Sequence, residues 1–397
     1  MDQVGLAKRM MEEAVERGFW ATDGVACTSH VSAELAGFIT AKPRDSSACA
    51  ACGATGSKVF DLDELLDIAV GVLRTYWGDA HAHLYFDSES PSGYALAEPA
   101  TADDLVRDEI FPGDVDEALL KVLTEPDLLG DQQWFDPGRL WLEDSELIAY
   151  SWGEFHKWAI AKPETVDLVA VSTRPTDLFE LSDEPADGID PTHMLSRLTG
   201  LIEDHVGLRP VPAGTTWHRA LVLGVDDERS PGRLGSAPAA MAAANRMSAR
   251  GVSMFYGADH AATAVAEIRS AADDRVVTGT WHPARPLQML DLVELREPPS
   301  FFDWKKADVR RGIKSLGAFA EAMSIPIAAG AERGYRSTQA FTEYLRRHLP
   351  GIDGIRYRSS LTGLPCCVVF ADNPACDPAS GKALTLELDG YTERVGP

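Results

Sequence analysis

The sequence predicts an α+β protein in two parts: a mainly helical N-terminal domain with a zinc-ribbon-like pair of turns, then a C-terminal domain built on a mixed sheet with helices packed on it. Three observations predict it. Helix-period patterns dominate the first 165 or so residues, whereas short β-branched and aromatic runs dominate from about 208 onward. Those runs outnumber the helix patterns between them and do not alternate with them one for one, which favours a mixed sheet over a doubly wound parallel one. Finally, two short pairs of metal-binding residue types occur close together near the N-terminus.

The elements follow in chain order. The N-terminus, "MDQVGLAKRMMEEAVERGFW", alternates charge on an amphipathic helix pattern and has no apolar core of a secretory signal. "DLDELLDIAVGVLRTYW" places Leu62, Leu65, Leu66, Ala69, Val70 and Leu73 on one helical stripe, with acids in its first turn. "DVDEALLKVLTE" and "YSWGEFHKWAI" add two more helices. Residues 163 to 190 carry three prolines and surplus acid and read as a connection. "PTHMLSRLTGLIEDHVG" is a further helix closed by Gly207. The expected domains are therefore 1–165, a connector with its helix over 166–207, and 208–397. In the last of these, "TTWHRALVLGV", "SMFY", "RVVTGTW", "PLQMLDLV", "GIRYRS", "CCVVFA" and "ALTLELD" read as strands bounded by Gly, Pro or Asp. Helix patterns lie between them at 260–271, 306–323 and 337–348.

Composition narrows the function classes. Of the 397 residues, 45% are apolar and 25% charged, which suits a globular chain of two or three domains. The net charge is −24, which argues against a nucleic-acid or anionic-membrane surface, because both need a basic footprint. No uninterrupted apolar run reaches the length of a membrane span. A soluble cytoplasmic protein is expected. Six cysteines, two of them adjacent at Cys366 and Cys367, do not form a disulfide framework and fit a reduced compartment.

"CTSH" contributes Cys27 and His30, and "CAAC" contributes Cys49 and Cys52. Each pair has two residues between its ligands, and eighteen separate the pairs. Two tight turns so spaced can close a tetrahedron of soft or borderline ligands around zinc, with Gly53 suiting the second turn. With all four positions filled by protein, the zinc is expected to be structural. A looser match is Arg74 with His81, six residues apart, against the arginine and histidine of HEPN-type ribonucleases; Thr75 stands where those enzymes usually carry Asn, Asp or His.

The C-terminal half holds polar residues in apolar places. Arg219 lies inside a strand, on the face of Trp217 and Leu221 by alternation, and needs an anion: a neighbouring carboxylate or a ligand's phosphate. His260, Thr263, Glu267 and Ser270 form one polar helix stripe opposite Ala261, Ala264, Val265 and Ile268. Periodicity alone turns that stripe to solvent, although it also suits the wall of a cleft.

"WHRA", then "NRMSARGVSMFYGADHAATAVAEIR", then "GIRYRSSLTGLPCCVVF" resembles, in order and spacing, the RES domain, a family named for an arginine, a glutamate and a serine. The resemblance runs over about 212–372, and the N-terminal half with "YSWGEF" looks like the domain often fused ahead of RES or HEPN modules. It implies a fold similar to bacterial ADP-ribosyltransferases and a toxin that attacks NAD, degrading it or transferring its ADP-ribose, usually restrained by an antitoxin. Residue by residue, the family arginine matches Arg219, the second arginine Arg246, the tyrosine Tyr256, the glutamate Glu267 and the serine Ser359, with Ser360 as its one-residue alternative. Asn245 replaces the glycine that usually precedes the second arginine, and His30 a more usual cysteine.

On that resemblance Glu267 would stabilise the cationic ribose as nicotinamide leaves, and Arg219 and Arg246 would hold the pyrophosphate. Tyr256 would stack on nicotinamide, and Ser359 or Ser360 would position the ribose. Asp259 would cap the helix of Glu267. NAD and either an antitoxin or the chain's own N-terminal domain are the expected partners. The competing expectation is a non-catalytic zinc-ribbon adaptor on an inactive RES-like scaffold, in which the Glu267 carboxylate is dispensable.

Overall fold

The computed structural model describes residues 3–42, 47–125, 128–130, 132–172, 188–327 and 332–395. The middle of the proline-rich connection, 173–187, lies outside the described residues. The chain forms two compact units: Met1–Leu142 with Pro299–Arg310, and Glu143–Pro298 with Arg311–Pro397. The sequence placed a boundary near 165, but helix Asp144–Ala161 buries Ile148, Trp152 and Phe155 in the core of the second unit. Its aromatic residues choose the partner, since large rings bury the most area.

In the first unit, helix Leu62–Tyr76 buries the whole expected stripe, and Ile68 and Val72 besides. Gly71 on this helix lets Trp304 approach: a Cβ there would stand 2.3 Å from the indole. Helix Glu117–Leu123 starts at Asp116, whose carboxylate accepts from the Leu119 amide at 3.0 Å. The strands of this unit are short. Val25–Cys27 pairs antiparallel with Val59–Asp61, and three further short strands form a separate small sheet.

The second unit is built on an eight-stranded mixed sheet. In spatial order its strands are Leu386–Val395, Arg275–Pro283, Trp217–Val222, Phe255–Ala258, Pro365–Val369, Gly354–Arg358, Leu287–Asp291 and Arg209–Val211. Every run read from the sequence as a strand is present, and the edge strand Arg209–Val211, interrupted by Pro210, adds one that was not read. Leu287–Asp291 and Gly354–Arg358 pair in parallel, so the chain must cross over between them, and helices Ala307–Met323 and Arg336–His348 lie in that crossover.

The sheet alternates with period two. Cys366, Val368, Ile355 and Tyr357 join one core with helices Asp144–Ala161, Met194–His205, Ala307–Met323 and Arg336–His348, whereas Cys367, Val369, Phe255, Trp217 and Trp281 join a second core on the opposite face. Gly257 makes the second packing possible: a Cβ there would meet the Phe255 ring at 2.9 Å and Trp217 at 3.3 Å. The run "SMFY" was expected to end before this glycine; instead the strand runs on to Ala258. Strands Trp217–Val222 and Phe255–Ala258 pair at one position, His218 with Ala258, whereas Trp217–Val222 pairs with Arg275–Pro283 at six.

Candidate active site and metal centre

Glu267 is the last residue of the seven-residue helix Ala261–Glu267. The helix was expected to reach 271, but Arg269 adopts a left-handed φ of 47° and ends it. The carboxylate accepts a short hydrogen bond from the Ser359 hydroxyl. Ser359 is buried (3% exposed) at the end of strand Gly354–Arg358, and its oxygen also accepts from the Leu361 and Thr362 amides, each at 3.1 Å. With two amides accepted, its one proton is directed at Glu267.

The polar stripe of this helix is only partly solvent-facing: His260 and Glu267 are exposed, whereas Thr263 turns inward. Thr263 is fully buried and accepts from the Thr362 hydroxyl at 3.4 Å, so the stripe packs on the loop that follows Ser359. Periodicity reports that one helix face is polar, not what lies opposite it.

The other residues singled out in the sequence form a connected series of contacts. Ser360 accepts from Arg246 Nη2 at 2.9 Å. Arg246 Nη1 also donates to the Met323 carbonyl at 2.7 Å, where helix Ala307–Met323 ends, so its guanidinium is a clamp rather than a free fork. Two residues further on, Ser248 accepts from the Tyr256 hydroxyl at 2.8 Å. Burial pushes the Tyr256 phenol up to about 12, which keeps it a neutral donor. The Tyr256 carbonyl accepts from Arg219 Nη1 at 3.0 Å.

Arg219 stands apart from this group in one respect. It pairs with Gly279 and leaves the sheet on the Trp217 face, 5.6 Å from the centre of the Phe255 ring, whereas Tyr256 and Ser359 belong to the other side. Its Nε is buried without a partner, and burial lowers its pKa from the usual range. Among the described residues no carboxylate pairs with it, and the guanidinium rests on a ring and a carbonyl. One buried donor remains to be satisfied.

The expected cap at Asp259 does not form. His260 occupies the N-cap position without a side-chain bond, and Asp259 instead pairs with Arg356 Nη2 at 2.8 Å. Arg356 Nη1 reaches Asp291 at 2.7 Å, and Asp291 in turn accepts from the Val293 and Glu294 amides. One guanidinium thus joins the entry to the Glu267 helix, the strand leading to Ser359 and the 291–294 turn. Sequence reasoning missed it. The signal was the one used for Arg219, an arginine inside the apolar run "GIRY".

Beside Ser359 and Ser360 lies a cavity of about 510 Å³, walled by Leu292, Val293, Leu295 and Ala320, with Glu321 and Arg358 as its charged lining residues. Volumes of this order accommodate nucleotide-sized ligands. Ser359 touches both the cavity and Glu267.

In the first unit the ligand atoms of Cys27, His30, Cys49 and Cys52 all lie within 4.8 Å of one another, an arrangement that can hold a metal ion. Two features fit that use. His30 Nδ1 sits 2.5 Å from the Asp116 carboxylate, while its Nε2 is buried with no hydrogen-bond partner. A carboxylate fixing one ring nitrogen and leaving the other to a metal is a recurring arrangement. Burial pushes the Cys49 thiol up, but amides of Cys27, Cys52 and Ala51 outweigh it and bring it down to about 6, toward the thiolate a metal needs. Asp116 was read only as part of a helix start. Arg74 and His81 are engaged separately, Arg74 with the Glu16 carbonyl at 2.9 Å and His81 with the Tyr94 hydroxyl at 2.8 Å.

Comparison with known proteins gives two family matches. Residues 217–389 match the RES domain, and residues 42–162 match the HEPN/RES N-terminal domain 1. No curated protein matches the chain. Among solved structures, a chain in the crystal structure of the M. tuberculosis MbcT–MbcA toxin–antitoxin complex is similar, at 15% identity over 51% of this chain and 92% of that one, with a TM-score of 0.31. No helix among the described residues is long and apolar enough to cross a membrane. The chain thus carries a RES domain preceded by a HEPN/RES N-terminal domain.

Proposed function

We propose that this chain is a RES-type toxin or defence effector that breaks the bond between nicotinamide and ribose in NAD. The observation that carries the reading is the Glu267 carboxylate, held by the buried Ser359 hydroxyl at the edge of the cavity. Cleavage is heterolytic: the electron pair leaves with nicotinamide and the ribose develops oxocarbenium character. Glu267 stabilises that charge and accepts a hydrogen bond from a ribose hydroxyl, while Ser359 fixes the carboxylate's orientation. The acceptor then attacks the anomeric carbon. Water gives ADP-ribose with release of a proton, phosphate gives a sugar phosphate, and a protein side chain gives an ADP-ribosylated protein.

Arg246, beside Ser360, reaches a diphosphate oxygen by exchanging a carbonyl partner for it, while Arg219, on the Trp217 face of the sheet, keeps an uncommitted buried donor of its own. Tyr256, neutral and tied to Ser248, offers its ring to nicotinamide. The competing adaptor reading makes the Glu267 carboxylate dispensable, so it predicts that Glu267→Gln changes nothing.

In the first unit, Cys27, His30, Cys49 and Cys52 would hold a structural zinc ion, which would supply a cross-link between two turns. The reading places the protein in the cytoplasm, restrained by an antitoxin or by its own N-terminal half.

The test is to incubate the full chain with NAD, with and without phosphate, and to separate nicotinamide and its co-product by chromatography. Nicotinamide release with one identifiable co-product is the expected result. Absence of release under both conditions, with no labelled protein when radiolabelled NAD and a cell extract are supplied, refutes the reading.

A further inference from the structure

Resting on the NAD reading above, we infer that the cavity beside Ser359 holds the adenosine end of the dinucleotide and that Glu321 makes the enzyme selective for NAD over its 2′-phosphorylated form. The inference comes from how the polar groups of the cavity are committed. Arg358 donates from both terminal nitrogens to the Gly363 and Val293 carbonyls, at 3.3 and 3.1 Å, so its charge braces the walls. Ser324 donates to the Ala320 carbonyl at 2.8 Å, and Ser360 is taken by Arg246. Ser359 is spent on Glu267.

What remains is an apolar wall of Leu292, Val293, Leu295 and Ala320 facing a Glu321 carboxylate with no side-chain partner among the described residues. Such a lining suits a flat apolar ring joined to hydrogen-bond donors. An anion placed against Glu321 itself meets like charge, which is disfavoured, while the Arg358 cation is engaged with the Gly363 and Val293 carbonyls.

Two considerations orient the dinucleotide. Ser359 borders the cavity on one side and bonds Glu267 on the other, so a reacting ribose at Glu267 leaves the cavity to another part of the molecule. A volume of about 510 Å³ far exceeds a single nicotinamide ring and suits a nucleoside. The donors of a nucleoside are its ribose diol and amino group. A carboxylate that accepts from an adenosine ribose hydroxyl is the device by which other dinucleotide sites distinguish the two cofactors, and a phosphate on that hydroxyl removes the donor and adds charge.

The experiment compares kcat/KM for NAD and for its 2′-phosphorylated form in the full chain, in Glu321→Gln and in Glu321→Lys. The wild type is expected to favour NAD by roughly tenfold to a hundredfold. Glu321→Gln should narrow the ratio by about tenfold and Glu321→Lys should narrow it further, chiefly through KM. Glu321 is exposed, and thermal unfolding of both variants checks that they fold as the wild type does. Unchanged ratios in variants that still cleave NAD overturn the inference and leave the NAD reading standing. If the wild type cleaves neither dinucleotide, the NAD reading has failed, and calorimetric titration of both into the Glu267→Gln protein decides the selectivity by itself. Equal affinities there, or a preference that Glu321→Lys leaves unchanged, overturn the inference as well.

Discussion

Replacing Arg356 with methionine tests whether one buried guanidinium holds the site together. Its side chain is 15% exposed and pairs with Asp291, 6% exposed, and Asp259, 28% exposed. Two carboxylates on one cation form an arrangement in which the cation cannot be dispensed with, since its loss leaves like charges facing each other away from water. Breaking a buried pair by removing one partner costs about 3–5 kcal/mol. Partial exposure of Asp259 and the two amides that still satisfy Asp291 place this case at the low end, about 3 kcal/mol. In a unit of this size each kcal/mol moves Tm by about 2–4 °C, so Arg356→Met should lower it by roughly 6–12 °C. The variant Arg356→Met/Asp259→Asn/Asp291→Asn should recover most of that loss, because it removes the charges together with their counter-ion. Calorimetry and denaturant unfolding measure both. A loss below about 1 kcal/mol in Arg356→Met, the level of an exposed pair, refutes the reasoning, and so does a triple variant that is no more stable than the single one.

Other consequences are directly measurable. Ser359→Ala removes the hydroxyl that orients Glu267 and should lower the rate of NAD cleavage by about tenfold to a hundredfold, with a stability loss of about 1–3 kcal/mol from the Leu361 and Thr362 amides left without their acceptor; a rate equal to wild type would show that Glu267 needs no positioning. Elemental analysis of purified protein should find one zinc per chain, and Cys49→Ser should lose the metal and lower the unfolding temperature of the first unit; full stability without metal contradicts the structural assignment. Burial pushes the Asp353 carboxyl up, but Arg285, at 2.6 and 3.1 Å, and the Gln288 amide hold it below the usual range. Because the folded value is depressed, this contribution to stability is present above the unfolded value of about 3.9 and is lost as pH falls through the folded one. Asp353→Asn should therefore flatten the stability profile below about pH 4, and an unchanged slope in acid unfolding would rule the pair out as its source.

Much of the fold was legible because it rests on local pattern. The seven runs of β-branched and aromatic residues became strands because they alternate, the inner ones between two cores, as Cys366, Cys367, Val368 and Val369 do in turn, and the edge strand Leu386–Val395 between one core and solvent. The paired metal ligands were legible for a similar reason: a short turn fixes the distance within each pair. What could not be read depended on residues far apart in the chain. Asp259 looks like a helix cap until Arg356, 97 residues away, claims it. Glu267 looks like part of a solvated stripe until Ser359 arrives from 92 residues away. Helix Asp144–Ala161 shows its own period but not which core its Trp152 and Phe155 will enter. Arg219 was legible as a charge out of place, yet the side of the sheet it takes and its carbonyl partner depend on the register with neighbouring strands.

The central claim is that the Glu267 carboxylate performs chemistry, and a comparison of nicotinamide release by wild type and Glu267→Gln tests it most directly. Glutamine keeps the shape and can still accept from Ser359, so the variant removes charge and little else. The account predicts a fall in kcat of about a hundredfold to ten-thousandfold with NAD affinity nearly unchanged. Nicotinamide release by Glu267→Gln at the wild-type rate would contradict it and return Glu267 to an ordinary helix end.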